Sequence, residues 1–277
     1  MRVAIFIDGA NLQKAAFEGL EFRLDFARFL EVLRGEDALV RAYYYVGEFD
    51  LETLEQYVRL QNADPDYERR RSRERMEQDR EFHRWLNRHG FKVVAKRVSV
   101  FRDAEGGVRV KANVDVELAV DMLTLAPHID KAVLVSGDGD FVPLVAAVQA
   151  QGVRVTVVST QEATAKGYGS SEALLDAADD FIELAEIEAS VTRGKRVSRE
   201  EEGSLVGQTL TGTVAQKVED RGYGFLEDSE QRRYFFHLSA LQNLSFETLH
   251  EGQQVRFEVG YNDRGRLAAL EVWPLGG

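Results

Sequence analysis

Over the first two thirds of the chain, short runs of apolar residues alternate with amphipathic stretches. Arg2 to Ile7, Ala38 to Val46, Phe91 to Val100, Val133 to Val135 and Val153 to Val158 are rich in β-branched and aromatic residues. The central ones are apolar at consecutive positions, the pattern of strands buried on both faces of a parallel sheet. Helical spacing fills the gaps: Asn11 to about Gly19, a stretch opened by Asp25 (Phe26, Phe29, Leu30, Leu33), one opened by Asp50 (Leu51, Leu54, Val58), then Asp66 to Arg88 and Lys111 to Leu123. A further helix follows Phe141 with Pro143 in its first turn, where proline is tolerated, and Ser171 to Ala178 forms a short one. Phe181 to Leu184 closes the series as an edge strand. The stretch from Lys111 to Leu123 is apolar on nearly every side, so burial is expected for it. The alternation predicts an α/β fold, a doubly wound parallel sheet with right-handed crossovers and helices on both faces.

The pattern changes at Glu186. From there to Gly207 the residues are mostly Glu, Arg, Lys, Ser and Gly without apolar periodicity, which reads as a linker. Beyond Gln208 come five short alternating strands: Leu210 to Lys217, Tyr223 to Glu227, Arg233 to His237, Gln254 to Val259 and Ala268 to Trp273. Short strands with glycine-rich turns predict a small, separate all-β barrel. The expected organisation is therefore a domain over residues 1–185, a linker over 186–207 and a barrel over 208–277.

Composition narrows the function classes. The 277 residues contain no cysteine, which excludes disulfides, thiolate metal sites and cysteine nucleophiles and makes the cytoplasm the default location. No apolar run approaches the roughly 20 residues needed to cross a bilayer, and a membrane partner is not expected. The net charge of −12 argues against a generic polyanion binder, although an acidic metal site is compatible with a locally basic channel. The Asp66 to Arg88 stretch carries eight arginines interleaved with Glu68, Glu74, Glu77 and Glu81. Intrahelical ion pairing on a solvated face is favoured there over a nucleic-acid contact.

The candidate chemistry lies where apolar strands stop. Val133-Leu134-Val135 runs into Ser136-Gly137-Asp138-Gly139-Asp140, and the first strand runs into Asp8-Gly9-Ala10-Asn11. Open α/β sheets bind ligands at the carboxyl ends of their strands. If the two strands are neighbours, Asp8 comes beside Asp138, and Asp115 opens the helix that precedes the second strand. Crowded carboxylates raise one another's pKa, and a hard divalent cation such as Mg²⁺ or Mn²⁺ relieves the conflict. Such an ion activates water for attack on phosphorus. Asn11 is suited to orient a phosphate through its amide. Asp121, on the apolar stripe of Val114, Leu118 and Leu125, requires a partner. The competing explanation is a set of helix caps and turn residues that never meet. Gly137-Asp138-Gly139 lacks the downstream asparagines of a thiamine-diphosphate site, and Ala10 stands where a phosphatase loop needs a second Asp. His83, His89, His128 and His250 have no evident partners for nucleophile or base chemistry.

FIDGANL, VDVELAVDM and LVSGDGDF, in that order, resemble the NYN domains of the PIN-like nuclease superfamily, in its bacterial LabA-like branch. The resemblance covers about residues 1 to 185. It implies a metal-dependent ribonuclease site on Asp8, Asn11, Asp115, Asp138 and Asp140, with Asp8, Asp115, Asp138 and Asp140 holding Mg²⁺ or Mn²⁺ and with Asp121 and Ser136 in support. The Arg-rich stretch at 66–88 has no counterpart in that pattern. The tail resembles a cold-shock domain, an OB-fold barrel: Gly222-Tyr223-Gly224-Phe225-Leu226 and Tyr234-Phe235-Phe236-His237-Leu238-Ser239 match its two RNA-binding motifs. That resemblance implies single-stranded RNA as partner, with DNA as the other option, contacted through Lys217, Tyr223, Phe225, Phe235 and His237. One departure matters. Ala215-Gln216-Lys217 stands where the family has Lys-Trp-Phe, which removes a stacking platform, and the tail holds more acidic than basic residues. The reading is a ribonuclease whose barrel holds the strand, compatible with a homo-oligomer. The alternative is a non-catalytic RNA-binding or scaffold protein that retains the acidic pocket.

Overall fold

The computed structural model describes every residue except 21, 23, 62–63, 104–105, 162–168, 193–202, 219–221, 263–266 and 276–277. The chain divides into two compact units, Met1–Thr192 and Arg193–Gly277.

The first unit is built on strands β1 (Arg2–Asp8), β2 (Ala38–Glu48), β3 (Phe91–Arg97), β6 (Lys131–Val135), β7 (Arg154–Ser159) and β8 (Asp180–Glu183), ordered β3-β2-β1-β6-β7-β8. All pairings are parallel. The order reverses between β1 and β6, so their carboxyl ends flank the crevice of a doubly wound sheet. Residues alternate to opposite faces along each strand and build two cores. Val3, Ile5, Ile7 and Tyr44 join α1 (Gly9–Gln13), α2 (Phe26–Arg34), Leu86 of α4 (Pro65–Arg88) and α8 (Leu184–Val191). Ala4, Phe6, Tyr43 and Tyr45 join α5 (Asp115–Leu125), α6 (Val142–Gln149) and α7 (Glu172–Ala177) on the other face.

Three features depart from the sequence pattern. Residues 186–191, read as linker, belong to α8: Leu184 and Val191 are fully buried and Ile187 packs beside them. Its Glu-rich outer face hides this helical stripe from a compositional reading. Residues 193–202 of the expected linker lie outside the described residues. The single strand expected over Phe91 to Val100 instead bends after β3 into a hairpin of β4 (Ser99–Arg102) and β5 (Val108–Lys111), apart from the main sheet. Finally, α5 starts at Asp115 rather than Lys111 and buries Leu118 and Met122, while Val116, Val120 and Leu123 face solvent.

The arginine-rich stretch is α4, joined to the body through its carboxyl half. Leu86 sits fully buried in the core, with Phe82 and Trp85 beside it. Arg80 lies 3.5 Å from Glu48, the last residue of β2. Residues 65–79 continue α4 amino-terminally from this anchor, a span of roughly 20 Å at 1.5 Å per residue. α3 (Leu51–Leu60) packs against that extension: Arg69 makes a two-pronged ion pair with Glu55 at 2.9 and 3.1 Å, and Arg73 approaches the same carboxylate. Arg84 pairs with Glu77 on the outer face. These pairs fit the solvated-helix explanation of the arginines.

The second unit is a closed five-stranded barrel of β9 (Thr209–Val218), β10 (Tyr223–Asp228), β11 (Arg233–His237), β12 (Gln254–Tyr261) and β13 (Leu267–Pro274), ordered β10-β11-β13-β12-β9. Leu226, Tyr234, Phe236 and Phe257 fill it, and Leu205, from the stretch read as linker, belongs to the same core. Inside the wall, Asp228 accepts from Tyr234 Oη at 2.8 Å and from Arg232 Nε at 2.6 Å.

Leu86→Ala removes the anchor of α4 and is expected to destabilise the first unit by about 2–5 kcal/mol. Arg84→Ala, on the solvated face, is expected to leave the urea midpoint where it is. Equilibrium urea unfolding of both variants checks the assignment of the helix's two faces.

Candidate functional site

The crevice between β1 and β6 is drawn together by short polar contacts. Asp8, 6% exposed, caps α1 by accepting from Asn11 N–H at 3.1 Å, and its second oxygen accepts from Ser136 Oγ at 3.2 Å. Ser136 Oγ in turn accepts from Asp138 N–H at 3.2 Å. Asn11 Oδ1 accepts from Gly137 N–H at 2.8 Å, which ties the start of α1 to the end of β6 and leaves the Asn11 NH2 to donate elsewhere. Asp138 caps the following 3₁₀ turn by accepting from Asp140 N–H at 3.0 Å. Glycine is required at 137: a Cβ there would sit 2.8 Å from Ser159 Oγ and 3.0 Å from the Gly169 carbonyl. The same holds at Gly9, where a Cβ would meet the Tyr44 ring at 2.7 Å.

Asp115 reaches the crevice on the first turn of α5, and two side chains fix that helix. Lys96, near the end of β3, donates to the Asn113 carbonyl at 2.8 Å and to Glu117 at 2.6 Å. Tyr45 Oη donates to Asp121 at 3.0 Å. Asp121 is thus the partnered carboxylate that its apolar stripe requires, roughly 9 Å along the helix from Asp115. Sequence reasoning found Asp121 and missed Lys96; the alternation of Lys92 and Lys96 on β3 was the available signal.

Electrostatics shows which carboxylates share one field. Burial pushes the Asp8 carboxyl up; its hydrogen bonds from Asn11 and Ser136 pull it back, and Asp115 and Asp138 push it up again. Asp115 is likewise raised, by burial first and then by Asp138, with Asp140 adding and Lys111 opposing. Asp8 and Asp115 therefore lie within the field of neighbouring carboxylates, Asp138 acting on both and Asp140 on Asp115. Among the described residues, no three His, Asp or Glu side chains stand close enough together to grip one ion. The donor chemistry, oxygen ligands with excess negative charge, fits a hard divalent cation.

Residues 2–185 match the NYN domain family. The chain belongs to that family. Its NYN domain is of the PIN-like nuclease superfamily. Residues 210–275 match the 'cold-shock' DNA-binding domain, so the chain also carries a nucleic-acid-binding module. The Low amplitude and bright protein LabA of Synechococcus elongatus is 31% identical over 199 residues, covering 70% of this chain and 90% of that protein. Cold shock protein 1 of Lactiplantibacillus plantarum is 45% identical over 61 residues, 22% of this chain and 92% of that protein. A crystallised protein from Vibrio parahaemolyticus aligns with a TM-score of 0.48 at 27% identity, over 66% of this chain and 92% of its own.

On the cold-shock barrel, Tyr223, Phe225, Phe235 and His237 share the outer face, with Phe225 opposite Phe235 and Tyr223 opposite His237. The rings of Tyr223, Phe225 and Phe235 stand 5.4–6.0 Å apart. Gln216 is the register partner of Phe225, so the side chain in tryptophan's place does lie on this face. Two expected contacts change role. Tyr223 is 8% exposed and supports the neighbouring rings instead of offering its own. Lys217 Nζ donates to the Leu249 carbonyl at 2.5 Å and lies over the Phe246 ring, so its ammonium is engaged within the barrel. Phe225, Phe235 and His237 remain accessible. Ser239 N–H donates to His237 Nδ1, which puts the proton of the neutral ring on Nε2.

A raised carboxyl penalises the folded state once it must ionise. Its stabilising contribution is complete below the ordinary Asp value of 3.8 and is lost as pH rises through the folded value. Asp8→Asn is therefore expected to raise the melting temperature at pH 7 without added metal, with the gain shrinking to nothing toward pH 3.5. Scanning calorimetry of both proteins across that range checks it; a gain constant with pH would assign the effect to packing.

Proposed function

We propose that this chain is a divalent-metal-dependent ribonuclease that hydrolyses phosphodiester bonds of single-stranded RNA, with the cold-shock barrel holding the strand. The supporting observation is the acidic crevice at the carboxyl ends of β1 and β6, where Asp8 is raised by Asp115 and Asp138 and Asp115 of α5 by Asp138 and Asp140, in a domain of a nuclease superfamily. Asp8, Asp115 and Asp138 would have to draw in from the wider spacing they have in this structure to hold Mg²⁺ or Mn²⁺, and Asp140 would complete or support the set. When bound, such an ion supplies Lewis-acid stabilisation and an activated water. The chain's own residues do the rest. Ser136 fixes the Asp8 oxygen it donates to and, through the Asp138 N–H, the turn that carries Asp138. Asn11, its carbonyl oxygen held by Gly137, presents its NH2 to a phosphate oxygen. Asp121 acts at a distance by holding α5 to Tyr45. The cysteine-free sequence keeps the cytoplasm as the proposed location.

The nearly isosteric Asp138→Asn is expected to cut single-turnover cleavage of labelled single-stranded RNA by on the order of a hundredfold or more, the rate equivalent of several kcal/mol. Millimolar Mg²⁺ or Mn²⁺ is expected to raise the melting temperature of the wild type, and changing Asp8, Asp115, Asp138 and Asp140 together to Asn to abolish that rise. Cleavage indifferent to EDTA, or an unimpaired Asp138→Asn, would overturn the metal-site assignment; no cleavage by the wild type would leave the non-catalytic binding protein as the reading.

Aromatic stacking is worth about 1–3 kcal/mol per base. Phe225→Ala with Phe235→Ala is expected to weaken RNA binding by that amount per lost stack while sparing cleavage at saturating RNA. Fluorescence anisotropy paired with single-turnover kinetics separates the two effects. Unchanged affinity would remove the barrel from strand capture.

A further inference from the structure

The hairpin that sequence reasoning missed has one face left unused by the fold. Its register pairs Ser99 with Lys111 and Phe101 with Arg109, so these four side chains share a face, and all four are exposed. The other face is tied down: Val100 is buried, its carbonyl accepts from Gln56 Nε2 at 2.9 Å, and Arg102 donates to the Leu60 carbonyl at 2.7 Å. Both anchors lie on α3, so the hairpin is held as a platform. Phe101 is 45% exposed, an aromatic ring on a platform with no core to fill on that side. Directly across stands Arg109, whose partner Asp103 forms an ion pair at 2.7 Å with the guanidinium still 64% exposed. An ion pair with so exposed a guanidinium contributes little stability. Lys111 follows two register pairs further, about 7 Å along the strand. It is close enough to Asp115 to oppose that carboxylate's upward shift. The platform therefore leads from an accessible ring, past two cations, to the edge of the carboxylate crevice.

We propose that the exposed face of this hairpin is a strand-guiding subsite for single-stranded nucleic acid, with a base stacked on Phe101 and flanking phosphates on Arg109 and Lys111. It rests on the nuclease reading for its direction, since the strand held there is the one led to the carboxylates. Its binding can be measured without any turnover.

The test uses the full chain carrying Asp138→Asn, so that probes stay intact, with and without Phe225→Ala and Phe235→Ala to remove the barrel's own stacking. Anisotropy of a labelled 12-nucleotide RNA, and of DNA of the same sequence, is followed across a NaCl series. Phe101→Ala is expected to weaken binding about 5- to 150-fold, the equivalent of one lost stack, with Phe101→Trp restoring it. Its salt slope is expected to stay unchanged. Arg109→Gln and Lys111→Gln are each expected to lower the slope of log K against log salt by about 0.7, the loss of one phosphate contact on a single strand. RNA and DNA affected alike supports a subsite that reads base and phosphate; RNA alone affected supports one that also reads the 2′-hydroxyl. Unchanged affinity for Phe101→Ala together with unchanged slopes in the barrel-impaired background overturns the subsite, even for a protein that cuts RNA. Absence of cleavage by the wild type overturns the nuclease reading and leaves these binding results standing.

Discussion

Two hydrogen bonds bring the ends of β1 and β6 together: Ser136 Oγ to Asp8, and Gly137 N–H to Asn11 Oδ1. Without them the strand ends would still be neighbours in the sheet, but their side chains could relieve mutual repulsion by turning outward. With them, Asp8 is held against Ser136 and Asp138 is carried on the same short turn. The glycine at 137 belongs to this arrangement, since a side chain there would push the turn off Ser159 and open the crevice. The first unit thus builds a place where negative charge is crowded by design of the backbone, at a cost to its own folding that grows with pH. A cation bound there would recover that cost, which couples metal affinity to fold stability in one set of residues.

The same logic extends to α5. Its first turn brings Asp115 into the crowded region, where a free helix would be repelled. Lys96 counters this by holding Asn113 and Glu117, and the Tyr45–Asp121 bond fixes the next turns from the sheet side. Two sheet strands therefore hold one helix in place through polar contacts, and the exposed apolar residues Val116, Val120 and Leu123 contribute nothing to holding it there. Position, not hydrophobic burial alone, is what this helix supplies.

Much of this was legible in the residues. Strand ends are marked by carboxylates after β-branched runs, and those marks located Asp8 and Asp138 before any geometry was known. The barrel was legible from alternation alone: the Arg233–His237 strand matches at both ends and the other strand ends lie within two residues of those expected. What escaped had physical reasons. Helix α8 hides a three-residue apolar stripe under a glutamate-rich surface, so composition reads it as linker. The β4–β5 hairpin alternates correctly on both sides of Asp103-Ala104-Glu105-Gly106-Gly107, yet it directly continues β3 and merges with it in a one-dimensional pattern. Tyr223 and Lys217 were chosen by motif position, which fixes the strand face but not how far neighbours cover it.

The barrel and the NYN domain address opposite halves of one electrostatic problem. A polyanion approaching a chain of net charge −12 gains little from long-range attraction. Stacking on Phe225 and Phe235 would not depend on net charge, which is why the proposed strand capture is assigned to the barrel. Once a strand is held by one part of the chain, the other part meets it at an effective concentration far above that in bulk. Weak capture then suffices, which makes the loss of the usual tryptophan at Gln216 tolerable. Under the proposed cleavage it would also favour release, since a barrel that held the product strand tightly would slow turnover. The replacement of one stacking ring by a glutamine would, on the proposed function, suit a barrel that binds strands weakly.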